Sequence, residues 1–325
     1  MPTLFGVNVP YLRGDYGHDL APSPRFPDWP VRFDPMEAYR PLIEARELGF
    51  RAVRMWLCEN AEGLIVDPRG HVTGVSEQLL ESIRVIQEAA RLHGLFLYWT
   101  LLDANAWPRE GDPITRSILA DLDQAQRFAE NVTRKIAGVV DPEITIGLEI
   151  VNEPETSTHE CMKEGEPISW EAIGRAIRVN VEAARAEREL LLTAGTMHVF
   201  LPSLWEVEPG INAIDIHIYH PDGGLPSRED LAAYVGDDAI RDERLPIVGG
   251  ELGIPKPPGP RSPDSLVNYV YNARDLGYAA AFLWQLEGDL VDREEPSRPL
   301  SWLGREVRGA LERRPRGRDS ARNEA

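Results

Sequence analysis

Along the chain, short runs of β-branched and apolar residues alternate with longer stretches in which apolar positions recur every three or four residues. Eight strand-like runs stand out: Leu4–Val9, Arg51–Leu57, Leu95–Leu102, Ile144–Val151, Leu190–Gly195, Ala213–Tyr219, Pro246–Glu251 and Ala280–Gln285. Their nearly unbroken apolar character suits strands buried on both faces of a parallel sheet. Between them the period lengthens to that of a helix. Leu79, Ile83, Ile86 and Ala90 form a stripe between a capping Ser76 and a terminating Gly94. Ile118, Leu122, Ala125, Phe128, Val132 and Ile136 predict one continuous helix. Helical patterns also cover Pro35–Leu48, Ile168–Leu190, Asp264–Leu276 and Trp302–Leu311, while the segments after the fifth and sixth runs are less regular.

Eight strand-then-helix units within 325 residues predict a single α/β domain, a closed (β/α)8 TIM barrel over residues 1–313. An open doubly wound sheet would call for a glycine-rich phosphate loop after the first strand, and none is there. No domain boundary is visible. Pro- and Gly-rich stretches, Pro22–Pro30 and Pro255–Pro263, lie beside the first and seventh strands as loops of one rim. Residues 314–325 read as a polar, disordered tail.

Composition narrows the function without naming it. With 35 Lys+Arg against 53 Asp+Glu the net charge is −18, which disfavours nucleic acid and anionic membrane surfaces as partners. An apolar fraction of 42% with 27% charged residues is that of a globular chain. Cys58 and Cys161 make no disulfide framework and read as reduced thiols. No apolar run is long enough to span a membrane. The start, MPTLFGVNVPYLRGD, has neither a basic first region nor a long apolar core, so the expectation is a cytoplasmic protein, or a secreted one if a leader has been removed.

Chemistry in a barrel of this kind sits at the C-terminal ends of the strands. There the chain places Asn8, Arg54, Trp56, Asp103, Asn105, Trp107, Asn152, Glu153, His217, Tyr219, Glu251 and Trp284. Two glutamates thus end the fourth and seventh strands, facing each other across the mouth. A carboxyl pair is what glycosidic bond cleavage needs, one to protonate the leaving oxygen and one to attack or to activate water. Flat aromatic faces suit sugar rings, and an arginine beside a carboxylate keeps it ionised, as a nucleophile must be.

From strand one to strand eight these residues resemble the clan A glycoside hydrolases, most nearly glycoside hydrolase family 5, the cellulase and β-mannanase family. The resemblance rests on Asn152-Glu153-Pro154 at the end of strand four, Glu251 in IVGGELG at the end of strand seven, Arg54 on strand two, His217-x-Tyr219 on strand six and Trp284 on strand eight. It implies that Glu153 is the general acid/base and Glu251 the nucleophile of a retaining double displacement. Asn152 would hold the substrate 2-hydroxyl, Arg54 and Tyr219 would hydrogen-bond Glu251, His217 would orient the acid/base or a hydroxyl, and Trp284 would floor the sugar subsite. The chain departs from the family at strand three, where Asp103 and Asn105 stand in place of a histidine common there.

Plainer readings stand beside these. Asn-Glu-Pro alone is a weak signal, and Arg54 needs a carboxylate partner whether the pair is catalytic or structural. His198 and His220 read as loop or core histidines, and Trp56, Trp99 and Trp205 as packing residues. Trp107, just past strand three, is the best further sugar platform, and Asp103 divides between substrate contact and loop capping. The acidic run Glu155–Glu166 reads as a solvated loop. No metal-ligand spacing, catalytic Ser or Cys triad, or phosphate loop occurs, so no metal or cofactor is expected. The reading is therefore a retaining glycosidase acting on β-linked gluco- or manno-oligosaccharides or small glycosides, with carbohydrate as its partner. Its rivals are an endo-acting β-mannanase or β-glucanase and a sugar-binding barrel without turnover.

Overall fold

The computed structural model describes residues 2–12, 19–31, 33–241, 244–255, 264–292 and 297–313. Eight parallel strands close into a barrel: β1 (Leu4–Asn8), β2 (Ala52–Trp56), β3 (Phe96–Asp103), β4 (Thr145–Asn152), β5 (Leu191–Met197), β6 (Ile214–Tyr219), β7 (Ile247–Gly253) and β8 (Ala280–Leu283). Each strand pairs with its neighbours in sequence, and β1 closes the ring against β8. All eight lie within a few residues of the apolar runs that predict them. Their outward side chains meet the surrounding helices in one continuous apolar core. The proposed tail at 314–325 and most of the loop Pro255–Pro263 lie outside the described residues, and no described helix is long and apolar enough to cross a membrane.

The helices follow their sequence signals closely. Helix Glu77–His93 begins where the Ser76 hydroxyl accepts from the Leu79 amide at 3.2 Å, and ends at Gly94, whose φ of 63° is easiest for glycine. One expectation fails. The stripe from Ile118 to Ile136 is not a single helix but Pro113–Ala120, Leu122–Phe128 and Arg134–Val139, the last two joined by a π turn over Ala129–Thr133. Asp121 makes the break: its backbone is extended, and its carboxylate accepts from the amides of Asp123 (2.8 Å) and Gln124 (3.2 Å), starting a new helix. Leu122 accordingly leaves the stripe and is exposed, while Ile118, Phe128, Val132 and Ile136 stay buried.

After β2 the chain also forms a small antiparallel hairpin, Leu64–Val66 with Val72–Val75, turning through Asp67-Pro68-Arg69-Gly70. Its two strands are three and four residues long, too short for a periodic signal.

Candidate active site

Alternation along the strands sends every second side chain into the barrel, so residues two apart form a column. On β2 that column is Ala52, Arg54, Trp56; on β6 it is Asp215, His217, Tyr219. The upper positions of these columns build the site. Arg54, fully buried, is its hub. Its Nε donates to Glu149 Oε2 (2.8 Å) and Nη2 to the same oxygen (2.5 Å) and to Asn152 Oδ1 (2.7 Å). Nη1 donates to Asn8 Oδ1 (2.9 Å) and Glu251 Oε1 (2.7 Å). Every nitrogen of the guanidinium therefore has an acceptor, which makes burial of the cation tolerable.

Glu251 sits within β7, its second oxygen accepting from the Tyr219 hydroxyl at 2.7 Å. Burial and the neighbouring Glu251 charge hold that phenol well above its ordinary pKa, so it stays a donor. Glu251 thus accepts from two donors, one of them a cation.

Glu153 closes β4 in a left-handed conformation, φ 45° and ψ 56°, which turns its carboxyl over the barrel mouth. The turn is held from three sides. The Glu153 amide donates to Gly195 O (2.7 Å), the Thr156 hydroxyl to Glu153 O (2.7 Å), and the Ser157 hydroxyl to Ala104 O (2.8 Å). Asn105 Nδ2 donates to Glu153 Oε2 at 2.9 Å, and His217 Nδ1 lies 3.2 Å from Oε1. Burial would raise this carboxyl, but the contact with His217, the Asn105 hydrogen bond and the charge of Arg109 outweigh it and bring the pKa down to about 2.

One carboxylate oxygen of Glu153, one of Glu251 and a ring nitrogen of His217 all lie within 4.8 Å of one another. A second triplet, Glu149, Asp215 and His217, meets the same limit one layer deeper. Either triplet offers a cation three donor atoms, although Arg54 already supplies a positive charge to Glu149 and Glu251. Above them opens a cavity of 370 Å³ lined by Trp56, Asp103, Asn105, Arg109, Asn152, Glu153, Thr156, Met197, Tyr219, Glu251 and Trp284.

No family model matches the chain. A mannan endo-1,4-β-mannosidase of the mussel Mytilus edulis is 25% identical over 128 residues, 39% of this chain and 35% of the mussel enzyme. The matched stretch thus spans about a third of that relative's length. Among solved structures, the β-mannanase of Mytilus edulis superposes with a TM-score of 0.69 at 17% identity, covering 95% of this chain and 91% of that one. The endo-1,4-β-mannanase of Eisenia fetida gives 0.70 at 15% identity, covering 97% and 92%. GH5_18 from Streptomyces cattleya in complex with Manβ1-4GlcNAc gives 0.68 at 19% identity, covering 95% and 80%. The fold is that of the β-mannanases.

Within that mannanase-like barrel, most residues singled out from the sequence come together: Arg54, Asn152, Glu153, His217, Tyr219, Glu251, Trp284 and Asp103 all line the cavity or touch residues that do. Asp103 Oδ1 accepts from Asn152 Nδ2 (2.8 Å) and from the Asn105 side chain and amide (3.0 Å each), so it holds two residues that in turn bond Arg54 and Glu153. Trp107 stands apart. It is not among the residues lining the cavity, it packs against the core, and Arg116 lies over its ring at 5.2 Å. Trp56 takes the lining place instead, edge-on to Trp284 with centroids 5.9 Å apart.

The sequence singles out neither Glu149 nor Arg109 as a candidate site residue, places Asn105 at the rim without a role, and leaves Glu155 in a solvated loop. Glu149 hides in an apolar run, but a glutamate in a strand buried on both faces was itself a signal. Glu155 is fully buried rather than solvated, accepting from the Thr196 hydroxyl and the Met197 amide (2.8 Å each). Burial and the Glu153 charge push it up to about 7. It ties the turn carrying Glu153 to the end of β5.

Proposed function

We propose that the protein is a retaining glycoside hydrolase of β-linked mannosides, with Glu251 as nucleophile and Glu153 as acid/base. The observation that carries this reading is the approach of Glu153 and Glu251 within 4.8 Å at the mouth of the barrel. Retaining enzymes hold their carboxyl groups ~5–5.5 Å apart, whereas inverting ones leave ~6.5–9.5 Å for a water.

Chemistry follows from the contacts. Glu251, held by hydrogen bonds from Arg54 and Tyr219, attacks the anomeric carbon while Glu153 protonates the departing oxygen. A glycosyl ester on Glu251 results. Glu153, now ionised, takes a proton from water, which attacks the same carbon and releases the sugar with its original configuration. Asn152 spends its oxygen on Arg54 and one amide hydrogen on Asp103, leaving its second amide hydrogen for the substrate 2-hydroxyl. Trp284, edge-on to Trp56, offers its face to the sugar ring, while the Arg54 guanidinium lies over the Trp56 ring at 4.1 Å.

The mannoside preference rests on the named relatives, among them mannan-cleaving enzymes and a complex with Manβ1-4GlcNAc. The test is product analysis with β-linked manno-, gluco-, xylo- and galacto-oligosaccharides, for wild type and Glu251→Gln. Cleavage of the manno series by wild type alone supports the reading, and the product lengths separate exo from endo action. Cleavage of another series would overturn the mannoside part, and silence from a folded protein would overturn the hydrolase.

A further inference from the structure

The short helix Ala106–Glu110 carries the chain beyond β3 along the rim of the cavity. Asn105 opens it, and the Arg109 amide donates to Asn105 O at 3.0 Å, so these two residues stand one turn apart on the same face. Asn105 is buried and reaches the reacting pair, its Nδ2 donating to Glu153 Oε2 at 2.9 Å. Arg109 is exposed, so it lies one turn farther out on the Glu153 side, where it lines the cavity. Its guanidinium has no acceptor among the described residues. The carboxylates lining the cavity have other donors: Asp103 accepts from Asn152 and Asn105, Glu153 from Asn105, and Glu251 from Arg54 and Tyr219. Glu110, next in the chain, accepts from Asn60 Nδ2 at 2.8 Å. The arginines on either side of the helix are also committed, Arg116 to Glu166 at 2.6 Å and Arg25 to Glu110 O at 2.7 Å. Among the described residues Arg109 is thus the one basic side chain lining the cavity, in a chain whose net charge of −18 otherwise repels anions.

We propose that Arg109 reads the leaving group, and that the favoured leaving sugar carries an oxyanion, a carboxylate or a phosphate. This rests on the hydrolase reading above, in which the acid/base Glu153 serves the departing oxygen, so the leaving sugar lies on the Glu153 side of the cleaved bond. A guanidinium presents its N–H donors in a fixed fork and has no acceptor, a shape that matches two oxygens of a carboxylate or a phosphate. A neutral hydroxyl can also accept from it but brings no countercharge. A bound oxyanion supplies the countercharge that no side chain around Arg109 supplies, and it does so where only the leaving half of the substrate can reach. The role is selection: Arg109 touches no reacting atom.

The experiment compares substrates matched except for charge on the leaving sugar. β-1,4-Mannobiose oxidised at its reducing end to the carboxylate is set against the same disaccharide reduced to the neutral alditol. β-Mannosyl-1,4-mannose 6-phosphate is set against β-1,4-mannobiose. Wild type should favour the anionic member of at least one pair by at least ~10-fold in kcat/KM at low salt, and the pair that responds tells carboxylate from phosphate. In Arg109→Gln, an exposed substitution that should fold as wild type does, the ratio should fall to near one. Arg109→Lys, which keeps the charge without the fork, should recover part of it. Any effect of the variant on Glu153 is common to both members of a pair and cancels in the ratio. Ratios near one for both pairs in wild type, or an anion preference that survives Arg109→Gln, overturn the proposal. Mannohexaose runs alongside: its cleavage with flat ratios overturns this inference alone, whereas silence on every substrate from a folded protein sinks the hydrolase reading. Calorimetric affinities of that wild type for the same pairs then decide, ~10-fold tighter binding of an anionic member supporting the inference and equal binding overturning it.

Discussion

The two ends of the barrel interior are built from the same strands and could hardly differ more. At the N-terminal end Ala52, Tyr98, Val248, Ala280 and Phe282 pack into an apolar plug of their own, with the Tyr98 and Phe282 rings stacked at 5.3 Å. At the C-terminal end Asn8, Arg54, Glu149, Asn152, His217 and Glu251 form a buried polar network. Ala52 and Arg54 are two residues apart, as are Phe282 and Trp284. One step along a column of inward side chains separates a layer that holds the barrel closed from a layer that holds charges where water would otherwise solvate them. Burying so many ionisable groups lowers stability unless each is paired. That cost is confined to the end where a substrate can use it.

The sharpest way to break the comparison is to alter each end and ask which property falls. Glu251→Ala removes the proposed nucleophile, and kcat/KM should drop by at least ~10³-fold while circular dichroism and melting stay close to wild type. Turnover near wild type would end its assignment. Glu153→Ala should lose ~10²–10⁴-fold on substrates with poor leaving groups and far less on activated aryl glycosides, so the ratio of the two losses is the readout. Equal losses would remove the acid role.

Arg54→Met joins both properties. It leaves Glu149 and Glu251 buried without their cation, so stability should fall by about 3–5 kcal/mol in denaturant melts, and activity with it. Phe282→Ala, in the apolar plug, should cost a similar ~3–5 kcal/mol through the cavity it opens. Here the folded fraction should keep its kcat, measured at a temperature where the variant is still native. If Phe282→Ala instead abolished kcat in a folded protein, the separation of the two ends would fail.

The smallest effect is on pH. Burial raises Glu149 and Glu155 to about 7 and Glu62 to about 8, above the ordinary 4.5. A carboxyl raised by folding contributes fully below its unfolded pKa and loses that contribution as pH climbs through the folded value. Glu153, brought down to about 2, acts oppositely, but its contribution is lost only as pH falls toward 2. The thermal midpoint should therefore be higher near pH 5 than near pH 8, by a few degrees. A midpoint that rises over this window would contradict the burial of those carboxyls.

The plug and the network were not equally legible in the sequence. The barrel itself was, because eight apolar runs with helical stretches between them leave few ways to bury all the apolar surface, and all eight strands fall on those runs. Glu153 and Glu251 were legible because each ends such a run. Glu149 was not, since a single glutamate inside ITIGLEIV carries no period, and only the closed barrel brings it against Arg54 and His217. Trp56 and Trp107 were ranked by sequence position, yet what decides the lining of the cavity is the direction of the column on β2 and the helical turn Ala106–Glu110 that carries Trp107 away from it. The break at Asp121 was missed for a similar reason: a capping carboxylate overrides an apolar stripe that runs past it.

The central claim is that Glu251 and Glu153 cooperate in a double displacement at the mouth of this barrel. Proton NMR of the first product formed from a β-1,4-mannooligosaccharide tests it most directly, read before mutarotation sets in. The account predicts a new reducing end that appears first as the β-anomer and only later equilibrates. Initial appearance of the α-anomer would mean inversion and would contradict the account.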